Sequence, residues 1–181
     1  MKTIKEMHSQ KSVFDSLINK IRQIVKESSD TNKKLLTICQ LLKDNVSYYN
    51  WVGFYLSEES PSGRPCARGR SAFGGVDKSV KRELVLGPFV GEATEHTRIP
   101  FGKGICGQAA DRKTTFVVQD TGKETNYLAC SLKVKSEIVI PIFKGGEVAG
   151  ELDIDSHTLS PFTQEDRKFL ENICEIISEL F

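Results

Sequence analysis

No C-x-x-C pair occurs in the 181 residues, and the five cysteines, Cys39, Cys66, Cys106, Cys130 and Cys174, form an odd set. That absence argues against a zinc site and against a secreted disulfide framework, so free thiols in a reducing compartment are expected. Neither sign of charge is in excess: 25 Lys and Arg against 24 Asp and Glu leave +1. No global field therefore exists to draw in nucleic acid or an anionic membrane. Long apolar runs are missing as well. The stretch Met1-Lys-Thr-Ile-Lys-Glu-Met-His8 lacks an apolar signal core, and no segment approaches the ~20 apolar residues of a membrane span. The expectation is a soluble, cytoplasmic chain read as a single domain over residues 1–181, since this length supports one core and not two.

What is present has clear periodicity. Phe14, Leu17, Ile18, Ile21, Ile24 and Val25 recur at helical spacing, and Leu35, Ile38, Cys39, Leu41 and Leu42 repeat the pattern after a Ser28-Ser-Asp-Thr31 break, which predicts two opening amphipathic helices. Aromatic and β-branched runs predict strands over residues 50–56, 83–86, 114–118, 136–143 and 148–154, with Lys144-Gly-Gly-Glu147 as a hairpin turn. Residues 57–82, rich in Ser, Gly, Pro and Arg, read as an insertion. Thr163-Gln-Glu-Asp166 has the form of a capping box before a closing helix. The predicted class is α+β: a central, mostly antiparallel sheet, the terminal helices on one face and a loop-lined ligand pocket on the other. Cys39 and Cys174 fall on apolar helix stripes and are expected to be small buried hydrophobes. Cys66, in the insertion, is expected to be an exposed loop thiol.

The chemistry concentrates in the second half. Cys106 follows Gly102-Lys-Gly104-Ile105 where a helix should begin, and a helix N-terminus favours a thiolate. The Gly102, Gly104, Gly107 spacing matches a dinucleotide loop, but no parallel βαβ unit surrounds it, which discounts that reading. Cys130 precedes Glu137 by a short loop, and Asp153 and Asp155 lie two apart on a strand and so share a face. Clustered carboxylates raise one another's proton affinity, leaving one able to act as a general acid near neutral pH. By spacing alone, the aspartates serve equally well as turn caps. Trp51 and Tyr55 share a strand face and suit either an apolar wall for a thioether or plain core packing.

The motifs Trp51-x-Gly53-Phe-Tyr55, Leu86-Gly-Pro-Phe89-x-Gly91, Arg98-Ile-Pro100-x-Gly102-x-Gly104-x-Cys106-Gly107, Ala129-Cys130, Ser136-Glu-Ile-Val139-x-Pro141 and Gly150-x-Leu-Asp-Ile-Asp-Ser156, in that order, resemble the GAF-domain enzymes that reduce free methionine-(R)-sulfoxide. The resemblance implies a GAF-like fold and Cys130 as nucleophile, passing through a sulfenic acid. It also implies that Glu137, Asp153 and Asp155 bind and protonate the sulfoxide while Trp51 and Tyr55 hold its methyl end. No bound cofactor or metal is implied; thioredoxin would be the external reductant, and the first helices would meet in a homodimer. The chain departs from the pattern at His96, where the family carries a third cysteine. Recycling then falls to Cys106 as resolving thiol, or to an external thiol. A non-catalytic GAF ligand sensor and a Cys106–Cys130 redox switch are the alternatives. His96 itself reads as a solvated loop histidine.

Overall fold

The computed structural model describes residues 4–60, 81–128 and 133–181, with side chains from Gln10 onward and none at Ser60. Two helices open it, α1 (Ile4–Lys26) and α2 (Thr31–Asn45). Asp30 caps α2 by accepting from the Asn32 and Lys33 amides, donors that the first turn leaves without intrahelical partners. The rest of the chain runs β1 (Trp51–Ser60), β2 (Lys81–Val90), β3 (Arg98–Pro100), α3 (Gly104–Arg112), β4 (Phe116–Val118), β5 (Ser136–Lys144), β6 (Glu147–Ser156) and α4 (Gln164–Ile177).

The six strands form one sheet in the order β3-β2-β1-β6-β5-β4, with every neighbouring pair antiparallel. The β5–β6 hairpin turns at Gly145 and Gly146, both at positive φ, as a tight hairpin turn requires. Strand alternation sorts the side chains onto two faces. Val52 and Phe54, Leu152 and Ile154, and Ile138, Ile140 and Ile142 point to one face, where α1, α2 and α4 bury them in the larger hydrophobic core. Phe14 of α1 stacks on Phe169 of α4 with ring centroids 4.0 Å apart. On the other face α3 lies over a smaller cluster containing Trp51, Tyr55, Cys106, Ala109, Ala110 and Val139. The predicted layering holds.

Thr163 and Asp166 form the expected capping box of α4. Asp166 is fully buried and also accepts from the hydroxyls of Tyr48 (2.5 Å) and Tyr49 (2.9 Å), tying the helix to the chain that enters β1. Cys39 and Cys174 are buried, their thiols donating to the Pro88 and Ile140 carbonyls. Burial pushes both pKa values up, so both cysteines are inert packing residues as expected.

Three readings change. β1 and β2 reach into both ends of the expected 57–82 insertion, pairing Ser57 with Leu84 through Ser60 with Lys81. The ladder needs only backbone there, and cross-strand charges such as Glu59 opposite Arg82 decorate it. Strand β2 is longer than residues 83–86 because a register shift at Gly87-Pro88 absorbs the proline, which a regular ladder would exclude. The short β3 was not anticipated, since three residues carry no periodicity. Cys66 lies outside the described residues.

Candidate functional site

The sheet face beneath α3 carries a row of acids. On β6, Glu151, Asp153 and Asp155 alternate with Leu152 and Ile154, so all three carboxylates point away from the main core. Register places Trp51, Asp155 and Glu137 side by side across β1, β6 and β5, and Gly53, Asp153 and Val139 in the next row. Glu137, Glu151, Asp153 and Asp155 are each at most 2% exposed. Cys106 completes the cluster from above: its Sγ is 3.4 Å from Asp153 Oδ2 and 3.5 Å from Glu137 Oε1, and its one hydrogen can be donated to either.

Burying four carboxyls together disfavours their charged forms. Burial raises the pKa of Glu151 to about 8, partly offset by the nearby Cys106 thiol. Burial and the charge of Glu151 raise Asp153. Glu137 is raised well above the usual carboxylate range by burial and then by Asp153 and Asp155, and Asp155 by burial and then by Asp153. Among the described residues no Lys, Arg or His forms an ion pair with any of the four. The cluster therefore holds protons near neutral pH, which suits it to donate them.

The loop before Cys106 owes its shape to glycine. Gly102 and Gly104 sit at φ +84° and +63°, and a Cβ at Gly107 would meet the Pro100 carbonyl at 2.4 Å. The Asn126 side chain clamps this turn: its Oδ1 accepts from the Gly104 amide and its Nδ2 donates to the Gly102 carbonyl. With an all-antiparallel sheet around them, these glycines shape a loop that seats α3 and not a dinucleotide site. Cys106 lies in the first turn of α3, as anticipated.

Trp51 and Tyr55 form an aromatic wall beside the acids, rings 6.5 Å apart, with Phe89 stacked on Trp51 at 5.4 Å. The indole lies over Gly53 and Gly91, where an added Cβ would approach it to 2.2 Å in each case. Trp51 Nε1 donates to the Glu92 carbonyl and the Tyr55 hydroxyl to the His96 carbonyl. The half-buried His96 thus contributes its backbone to the wall. A small pocket of about 30 Å³ reaches Trp51 and Asp155 from the rim formed by Glu92, Thr94, Val134 and His157. A larger cleft of about 380 Å³, between α4 and β5, lies away from the acids.

The structure therefore brings together Cys106, Glu137, Asp153, Asp155, Trp51 and Tyr55. Cys130 lies outside the described residues. Sequence reasoning missed Glu151, although its two-residue spacing from Asp153 placed it on the same strand face.

Residues 32–179 match the GAF domain family. A "GAF domain-containing protein A" from Dictyostelium discoideum is 32% identical over 169 residues, 93% of this chain and 92% of that protein. The free methionine-R-sulfoxide reductase of Saccharomyces cerevisiae is 35% identical over 131 residues, 72% of this chain and 62% of the yeast protein. Among solved structures, the free methionine-R-sulfoxide reductase of Neisseria meningitidis in complex with its substrate superposes with a TM-score of 0.75 at 34% identity, covering 93% of this chain and 87% of that one. Among the described residues, no helix is long and apolar enough to cross a membrane.

Proposed function

The chain belongs to the GAF-domain family, and from that premise we propose that it reduces free methionine-(R)-sulfoxide to methionine. The observation that carries the proposal is the buried acid row of Glu137, Asp153 and Asp155 under the Cys106 thiol, walled by Trp51 and Tyr55. The relatives named for this activity, at 34–35% identity, support the reaction class.

In the proposed reaction the thiolate of Cys130 attacks the sulfoxide sulfur. The sulfur–oxygen bond of the substrate breaks as the oxygen passes to the cysteine, and the thioether leaves as methionine. The sulfoxide oxygen leaves only with a proton, and the raised carboxyls of Glu137, Asp153 and Asp155 supply it. The aromatic wall takes the methyl end. Cys106 then attacks the Cys130 sulfenic acid, releasing water and forming a disulfide that a dithiol such as thioredoxin reduces with two electrons. Leu128, two residues before Cys130, packs on Gly104, two before Cys106, which supports pairing these thiols.

His96, standing where the family carries its third cysteine, favours a second reading: a GAF sensor that binds the ligand without turning it over. A thioredoxin-coupled NADPH assay on wild type, Cys106→Ser and Cys130→Ser separates the two. The reductase reading expects turnover in wild type, none in Cys130→Ser, and one turnover followed by arrest in Cys106→Ser. Substrate binding without NADPH consumption by wild type would establish the sensor.

A further inference from the structure

Cys106, Glu137 and Asp153 come from α3, β5 and β6, yet their nearest ligand atoms all lie within 4.8 Å of one another. The Sγ stands 3.4 Å from Asp153 Oδ2 and 3.5 Å from Glu137 Oε1. A tetrahedral zinc ion has Zn–S near ~2.3 Å and Zn–O near ~2.0 Å, which sets its sulfur and oxygen ligands about 3.5 Å apart. The two sulfur–oxygen separations are thus already those of a zinc chelate. A second, independent feature points the same way. Both Glu151 oxygens are buried without a hydrogen-bond partner, and so are Asp153 Oδ1 and Asp155 Oδ1. Glu151 lies on the same face of β6 and is close enough to Cys106 for the thiol to ease its burial. Unpartnered buried oxygens in a native site call for a ligand that satisfies them.

We propose that Cys106, Glu137 and Asp153 bind a single borderline divalent cation, zinc foremost, with the Glu151 carboxylate beside it. A thiolate selects zinc or cobalt over the hard cations magnesium and calcium, which take all-oxygen shells. Local spacing gives no sign of such a site because the three ligands sit on three elements and contain no C-x-x-C pair. The ion engages the same thiol and carboxylates as the sulfoxide would.

The test is titration of the reduced, chelator-stripped full chain with cobalt(II), followed by displacement with zinc. The expected result is a thiolate-to-cobalt absorption band that saturates at one equivalent and is erased by zinc but not by magnesium. That band is absent in Cys106→Ser, and cobalt binds at least about tenfold more weakly in the isosteric Asp153→Asn. No band in wild type, a band that survives Cys106→Ser, or Asp153→Asn titrating like wild type would each overturn the proposal. Inhibition of turnover by zinc, reversed by chelation, is a consequence that rests on the reductase reading. The cobalt band stands or falls without it.

Discussion

Glu151 has no counterpart in the reading of the sequence, yet it is the plainest physical anomaly in the fold. It is a glutamate with 0% exposure and neither oxygen partnered. Its pKa rises to about 8, chiefly through burial. A carboxyl whose folded pKa is raised binds a proton in the native state that the unfolded chain has already lost. Its contribution is then fully present below the unfolded value near ~4.3 and is lost as pH rises toward about 8. Each such group lowers stability by about 1.4 kcal/mol per pH unit in that window. The urea midpoint of the wild type should therefore fall between about pH 5 and pH 8, and Glu151→Gln should flatten that fall. Equal slopes in the two proteins would show that Glu151 keeps no extra proton on folding.

At the scale of an element, β1 shows how a strand can carry an aromatic wall. Its side chain at Gly53 is missing because the Trp51 indole lies across that position, and an added Cβ would meet the ring at 2.2 Å and Phe89 Cβ at 2.8 Å. Neither backbone nor Phe89 can give way easily, so Gly53→Ala should push the indole out of place. Trp51 is the single tryptophan of the chain, which makes intrinsic fluorescence a direct reporter. The expected result is a red-shifted emission with a raised KM for the sulfoxide and a smaller change in kcat. An unshifted spectrum would place the ring elsewhere. The sequence made much of this element legible: the aromatic alternation located Trp51 and Tyr55 on one face. It could not show that the Tyr55 hydroxyl is held by the His96 carbonyl, because that contact joins strand to loop across 41 residues. The ends of β1 and β2 were likewise hidden, since exposed ladder residues such as Glu58 and Lys81 carry no apolar signal.

For the whole molecule, the decisive fact is that one sheet serves two unlike cores. Helices α1, α2 and α4 cover one face, and among the described residues α3 is the helix that covers the other, on which acids and a thiol are buried. The first core was readable from helical and strand periodicity. The acid face was readable in part: the two-residue spacing of Asp153 and Asp155 puts them on one strand face, but their burial depends on α3 crossing over them after the glycine turn at Gly102 and Gly104. A face of this kind has no structural advantage, since unpartnered buried carboxyls cost stability. On the proposed reductase reading, it is the place where protons are given to the sulfoxide. The most direct test is thioredoxin-recycled turnover of the separated diastereomers of free methionine sulfoxide by wild type and Asp153→Asn. The account predicts consumption of the R form alone and a kcat at least about 100-fold lower in the variant, in line with loss of a general acid. No consumption of the R form by the wild type, or an Asp153→Asn variant as fast as the wild type, would contradict it.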